Sequence, residues 1–316
     1  MMAPRVLYMG TAELACPPLV ALHQSSVADV VGVVTQPDRP SGRKLALQPS
    51  AVKQCALKLG VPVIQPKSLR NPESLKQLAT FEADLFIVTA YGQILSQAAL
   101  DLPPRGALNV HASLLPRHRG AAPIQWAILK GDATTGITLM RMDAGLDTGD
   151  IIASTATHIG SEDTAQTLHD RLSEMGAKLL IESLPGFLGG TLISVPQDDS
   201  ASTYARKILK QDGLIDWAQP AITIQNKLRA FTPWPGLFTQ LPTQKMRSVK
   251  IQKVSASTVS GNPGEVISAN EQGIWVGCGE GSLSLLLLQR EGGRPLNAVD
   301  FLNGCPLEPG SRLGQP

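Results

Sequence analysis

The chain has 316 residues, 43% of them hydrophobic and 17% charged, with a net charge of +2. That length exceeds one typical domain, and that composition supports a sizeable buried core, which excludes a disordered or fibrous protein. The charge is uneven: residues 1–205 carry 16 Lys/Arg against 18 Asp/Glu, whereas residues 206–316 carry 12 against 8, a balance of +4 that suits contact with a polyanion.

The chain enters an apolar strand at Val6–Met9, with no leader-like segment before it, and no apolar run reaches the roughly 18 residues of a membrane span. A cytoplasmic protein is expected. Gly10-Thr11-Ala12-Glu13 follows this strand with a single glycine, so the phosphate fingerprint Gly-x-Gly-x-x-Gly is absent and NAD or FAD is not expected. A helix is read at Pro17–Leu22 and a strand at Asp29–Thr35. The polar loop Gln36–Lys44 then carries Arg39, Arg43 and Lys44, which suit phosphate contacts or an ordinary solvated loop.

Helices at Ala51–Leu59 and Pro72–Ala79 alternate with strands at Val61–Gln65 and Asp84–Thr89. After the last of these, Tyr91, Gly92, Gln93 and Ile94 make a candidate flat slot whose backbone groups suit a planar ring, although packing explains the same residues equally well. Ala107–Val110 is the next strand, and alternation puts Asn109 and His111 on one of its faces. Helix Pro123–Lys130 and a strand pair, Gly136–Met142 with Asp150–His158, follow. The pair brackets a Gly-rich loop holding Asp147, 36 positions after His111. Ser161–Leu188 reads as one long helix.

Alternation of this kind predicts a Rossmann-like, mostly parallel sheet with helices on both faces, and a ligand crevice beyond the carboxyl ends of the strands. Asn109, His111 and Asp147 would meet there. An amide and an imidazole can hold charge on a carbonyl oxygen as it becomes tetrahedral, and a carboxylate can orient the imidazole and take a proton from an attacking amine. No nucleophile elbow or His-Glu-x-x-His metal spacing is present, so direct transfer of an acyl group between two nitrogens, without metal, is the expected chemistry. His118, between Arg117 and Arg119 and close to the motif, could either line the site edge or be structural; His23, His158 and His169 read as surface or cap residues. Cys16, Cys55, Cys278 and Cys305 lie far apart and read as isolated thiols, not a zinc site or a disulfide framework.

Gly189–Thr203 breaks the pattern with turn residues, which divides the chain into a catalytic domain at 1–190, a linker at 191–205 and a second domain at 206–316. All the candidate catalytic groups precede that linker. Beyond it, a helix at Ala221–Ala230 precedes short strands at Val249–Val254, Glu265–Ile267, Gly273–Cys278 and Ser282–Gln289, as in a small barrel or sandwich.

At several of these segments the chain resembles the methionyl-tRNA formyltransferase family. The matching segments are Leu108–Arg117, Arg119–Gln125, Met142–Asp150, Thr35–Pro40, Ile215–Trp217 and Arg229–Gly236. The Asn109-x-His111 and Asp147 set marks the wider folate-dependent formyltransferases; the basic loop and Trp234-Pro235-Gly236 narrow the likeness. The resemblance implies 10-formyltetrahydrofolate as co-substrate, initiator methionyl-tRNA as partner and a C-terminal OB-like β-barrel domain. Carried over by position, Asn109, His111 and Asp147 are catalytic, and Ser113, Leu114, Leu115 and Pro116 contact the folate beside the slot at Tyr91–Ile94. Arg43 and Lys207 face the tRNA. Neither a metal nor a membrane is implied, and the protein is expected to act as a monomer. Two alternatives stay open: a formyltransferase for glycinamide ribonucleotide or an amino sugar, and a non-catalytic RNA-binding protein.

Overall fold

The computed structural model describes residues 3–41, 46–242 and 248–314. Arg43 and Lys44 therefore lie outside the described residues. The chain forms two compact units: one comprises 1–123, 134–158 and 168–206, the other 124–133, 159–167 and 207–316.

A seven-stranded sheet organises the first unit. From edge to edge it runs Ile151–His158, Thr134–Arg141, Ala107–His111, Leu85–Thr89, Arg5–Gly10, Asp29–Val34 and Val63–Ile64. The last five are mutually parallel, and the first two complete the sheet in antiparallel register. Strand order reverses at Arg5–Gly10, so the crevice of such a sheet opens beside its carboxyl end. Each strand feeds alternate side chains to opposite layers. Leu7, Met9, Phe86 and Val88 pack in one cluster with Leu78, Ala99 and Leu100, which belong to helices Pro72–Ala79 and Gln97–Leu100. On the other face, Tyr8 donates its hydroxyl to Ala15 O at 2.7 Å. There a Cβ on Gly176 of helix Ala165–Leu188 would lie 3.0 Å from Val110. A one-residue slip would exchange these two buried faces and set side chains of the wrong size and shape into both layers.

Several boundaries move from their expected places for local reasons. The long helix starts at Ala165, not Ser161. Thr164 Oγ1 accepts from Thr167 N at 3.2 Å, and Asp163 accepts from Gly160 N at 2.7 Å, so the polar Ser161–Thr164 run forms the cap instead of the first turn. Val61–Gln65 shrinks to a two-residue strand, Val63–Ile64. Arg39–Ser41, within the loop expected at Gln36–Lys44, pairs in antiparallel register with Ala46–Gln48 just beyond it.

The segment expected as a linker packs onto the first unit. Val195 and Ile151 exchange backbone hydrogen bonds of 2.8 Å, and Tyr204–Ala205 pairs with Arg119–Gly120 as a small parallel sheet. The first unit accordingly continues to Arg206.

The second unit is built on an antiparallel, barrel-like sheet. Its strands follow the order Leu237–Gln240, Ser248–Ser257, Ser282–Arg290, Gly273–Gly277 and Val266–Asn270, and Pro295–Asn297 also pairs with Ser282–Arg290. Helix Ala221–Ala230 forms where expected. Buried Trp217 donates from its indole to Thr239 Oγ1 at 3.0 Å, which ties the entry segment to the sheet. A second helix, Ala298–Gly304, is capped by Asn297, whose side chain accepts from Asp300 N at 2.8 Å. No helix among the described residues is long and apolar enough to cross a membrane. All four cysteines are free. Burial raises the Cys16 thiol to about 12 and the Cys278 thiol to about 11, which suits unreactive packing thiols.

Candidate active site

Asn109 and His111 project from the same face of the Ala107–His111 strand and are 9% and 6% exposed. Asp147 reaches them from the loop between the two antiparallel strands. Its backbone is left-handed, with φ of 54°, a conformation that Asp tolerates better than most residues. Asp143 Oδ1 shapes the start of that loop, accepting from Gly145 N at 3.0 Å and from Thr148 Oγ1 at 2.7 Å. Gly149 ends it: a Cβ there would lie 2.1 Å from Arg141 O, so no side chain fits without moving the strand.

The carboxylate of Asp147 gathers the site. Asn109 Nδ2 donates to Oδ1 at 3.2 Å, and the amide of Gly120 donates to Oδ2 at 2.8 Å. Gly120 itself has φ of 119°, which a side chain rarely adopts, and a Cβ there would lie 2.7 Å from Ala205 O. His111 Nδ1 lies 3.6 Å from Asp147 Oδ2. On its other edge, Nε2 is 3.0 Å from His118 O. A carbonyl only accepts, so Nε2 carries a hydrogen and Nδ1 is the atom turned to the carboxylate. At 3.6 Å the two do not form a direct hydrogen bond, which leaves that edge available to a third polar group. Asn109 likewise keeps one amide hydrogen beyond the one given to Asp147. Asn109, His111 and Asp147 are thus brought together, with a spare amide hydrogen and an imidazole edge converging beside a carboxylate. That arrangement suits stabilisation of an oxyanion with removal of a neighbouring proton.

His118 serves through its backbone. It is buried, has φ of 60°, and its amide donates to Thr203 Oγ1 at 2.8 Å while its carbonyl meets His111. Ser113 Oγ is turned inward, donating to Arg117 O at 2.7 Å. Leu115 is buried, and Leu114 and Pro116 are half-buried.

The candidate slot divides into exposed and buried residues. Gly92 and Ile94 are exposed, Ile94 by 64%, and Gln93 donates to Pro66 O at 3.3 Å. The ring of Tyr91 packs in the core with Leu7, Met9 and Val34, and its hydroxyl has no partner among the described residues. Burial pushes its pKa upward, and only its main chain is placed near the strand ends. Tyr91 O accepts from Thr11 Oγ1 and from Gln36 Nε2, both at 2.8 Å. These residues, with Ala12, Pro37, Arg39, Gln48, Ser50, Ala90 and Gly92, line a cavity of about 330 Å³ at the point where strand order reverses. Arg39 is exposed and donates to Gln36 Oε1. Lys207 is exposed in the second unit. No group of three His, Cys, Asp or Glu side chains that would hold a metal occurs among the described residues.

Sequence reasoning missed three contributors to the site: the Gly120 amide, Arg119 and Gln197. Gln197 lies in the segment expected as a linker, and its Nε2 donates to Asp147 O at 2.9 Å and to Gly149 O at 2.7 Å. The only advance signal was chemical, a Gln-Asp-Asp run that complements the arginines around His118.

Residues 5–184 match the formyl transferase family model, and residues 207–306 match the model of the formyl transferase C-terminal domain. A methionyl-tRNA formyltransferase of Geobacter metallireducens is 49% identical over 98% of this chain and 98% of its own length. One of Pseudomonas entomophila is 48% identical over 95% of each. Among solved structures, the fold is shared with HypX from Aquifex aeolicus in complex with tetrahydrofolic acid, at a TM-score of 0.61 and 15% identity, covering 98% of this chain and 49% of that one. It is shared also with an N-formyltransferase from Helicobacter canadensis, at a TM-score of 0.62 and 19% identity, covering 90% and 99%. With both of its units matched and near-half identity along almost its whole length, the chain belongs to the methionyl-tRNA formyltransferase family.

Proposed function

We propose that the chain transfers the formyl group of 10-formyltetrahydrofolate to the α-amino group of methionine esterified to initiator tRNA. The observation that carries this is the Asp147 carboxylate, hydrogen-bonded by Asn109 and Gly120 and facing His111 at 3.6 Å. The unprotonated amine attacks the formyl carbon, and the carbonyl electron pair moves onto oxygen. The remaining amide hydrogen of Asn109 donates to that oxyanion, while His111, held by its Nε2–H bond to His118 O, keeps Nδ1 turned to Asp147 Oδ2. Losing one such donor typically costs roughly 10²–10³ in rate. Asp147 takes the amine proton, the bond to N10 breaks as the carbonyl reforms, and N10 receives a proton in turn. Holding both substrates on one surface makes the encounter unimolecular, so no covalent enzyme intermediate is needed.

The folate lies along the exposed edge of Gly92 and Ile94 and against the half-buried Leu114 and Pro116, beside Ser113 and Leu115. Arg39, Arg43 and Lys44 of the basic loop contact tRNA phosphates, as does Lys207 of the 206–316 part, whose balance is +4. One chain carries all three reacting groups, and it acts as a monomer in the cytoplasm, where tRNA is charged. The test is an acceptor panel: charged initiator tRNA, glycinamide ribonucleotide and a nucleotide-linked amino sugar, each offered with the same formyl donor. Formylation of the charged tRNA alone is expected, and preference for either small acceptor would overturn the assignment.

A further inference from the structure

We propose that Gln197, gripped by Arg119, is a positioning residue that sets Asp147 for proton removal; this rests on the role given to Asp147 above. All four hydrogen-bonding positions of its amide are used. Nε2 donates to Asp147 O at 2.9 Å and Gly149 O at 2.7 Å, while Oε1 accepts from Arg119 Nε at 3.0 Å and Nη2 at 2.8 Å. This set fixes the amide's orientation, because the flipped amide would turn its oxygen toward two carbonyls and its nitrogen toward a guanidinium. Arg119 is fixed in turn by Asp199 Oδ1 at 2.7 Å. The residue after Arg119 is Gly120, whose amide holds Asp147 Oδ2 at 2.8 Å. One short strand therefore grips Asp147 twice, at its carboxylate directly and at its backbone through Gln197.

The clamp has work to do because Asp147 stands in a left-handed conformation, φ 54°, in an otherwise Gly-rich loop. Such a conformation persists only where surrounding bonds over-determine it. With its donors and acceptors spent on the protein, Gln197 has none to offer a substrate. It acts through Asp147 and touches no reacting atom.

Gln197→Met keeps the length and removes both donors; Arg119→Lys keeps the charge but loses the two-pronged grip. Each is expected to lower kcat by roughly 10-fold or more, since small misplacements at a reacting group are costly. The KM for folate and for charged tRNA should stay within about 2-fold, and amide exchange at Gly120 should accelerate. In an Asp147→Asn background the further loss from Gln197→Met should nearly vanish, because residues acting as one unit are not additive. An unchanged kcat, an undiminished second loss in the double variant, or unaltered Gly120 exchange in a folded variant would overturn the proposal. The exchange measurement needs no turnover. If the parent chain transfers no formyl group, the functional assignment falls while the clamp is still decided by Gly120.

Discussion

Asn109 Nδ2 donates to Asp147 Oδ1 at 3.2 Å, across 38 positions of sequence. The bond leaves the second amide hydrogen of Asn109 directed by its first, which makes the side chain a fixed donor instead of a free rotor. Asn109→Ala should therefore lower kcat by roughly 10²-fold or more while leaving the KM values close to those of the parent. Steady-state kinetics with charged initiator tRNA checks this; a rise in KM with intact kcat would make Asn109 a binding residue only.

Truncation tests where the first unit ends. A chain ending at residue 190 lacks Gln197 and the Tyr204–Ala205 strand, whereas one ending at residue 206 keeps both. The longer truncation should unfold in one cooperative transition at a higher temperature than the shorter one. Calorimetry of the two decides, and equal midpoints would mean that the 191–206 segment adds nothing to the unit.

Much of the fold was legible because it rests on periodicity. The parallel strands are apolar runs bounded by turns, and Pro72–Ala79 and Ala221–Ala230 form at their expected bounds. Asn109 and His111 share a face because alternation requires it. The elements that escaped are those stabilised from a distance. Arg119–Gly120 and Tyr204–Ala205 are two-residue strands 85 positions apart, and nothing local marks either one. Gln197 escaped for the same reason, since its amide is satisfied entirely by residues 119, 147 and 149. At Tyr91 both readings offered by the sequence hold in part: the ring packs in the core, and the carbonyl, accepting from Thr11 and Gln36, lines the cavity.

Asp38 provides a pH test of the contacts around helix Ala51–Lys58. Hydrogen bonds from Lys53 Nζ at 2.7 Å and Gln65 Nε2 at 2.7 Å hold its carboxyl below the ordinary value. A depressed carboxylate pKa contributes stability that is present above the unfolded value of about 4 and lost as pH falls through the folded one. Asp38→Asn should therefore be less stable than the parent near neutrality, and the gap should close in acid. Urea unfolding across a pH series would show this, and a gap independent of pH would contradict it.

Arg43, assigned by resemblance, is tested through salt. Arg43→Ala should weaken use of charged tRNA and reduce the salt dependence of tRNA binding by about one counterion's worth of slope. An unchanged slope and KM would make it an ordinary solvated residue.

The central claim is that Asp147 removes the amine proton during direct transfer to methionine on tRNA. Single-turnover transfer of labelled formyl from 10-formyltetrahydrofolate to charged initiator tRNA, by the parent chain and by Asp147→Asn, tests it most directly. The parent should produce formylmethionine on the tRNA, and the folded variant should do so roughly 10²-fold more slowly or worse. Formylation by the variant at the parent's rate would contradict the claim.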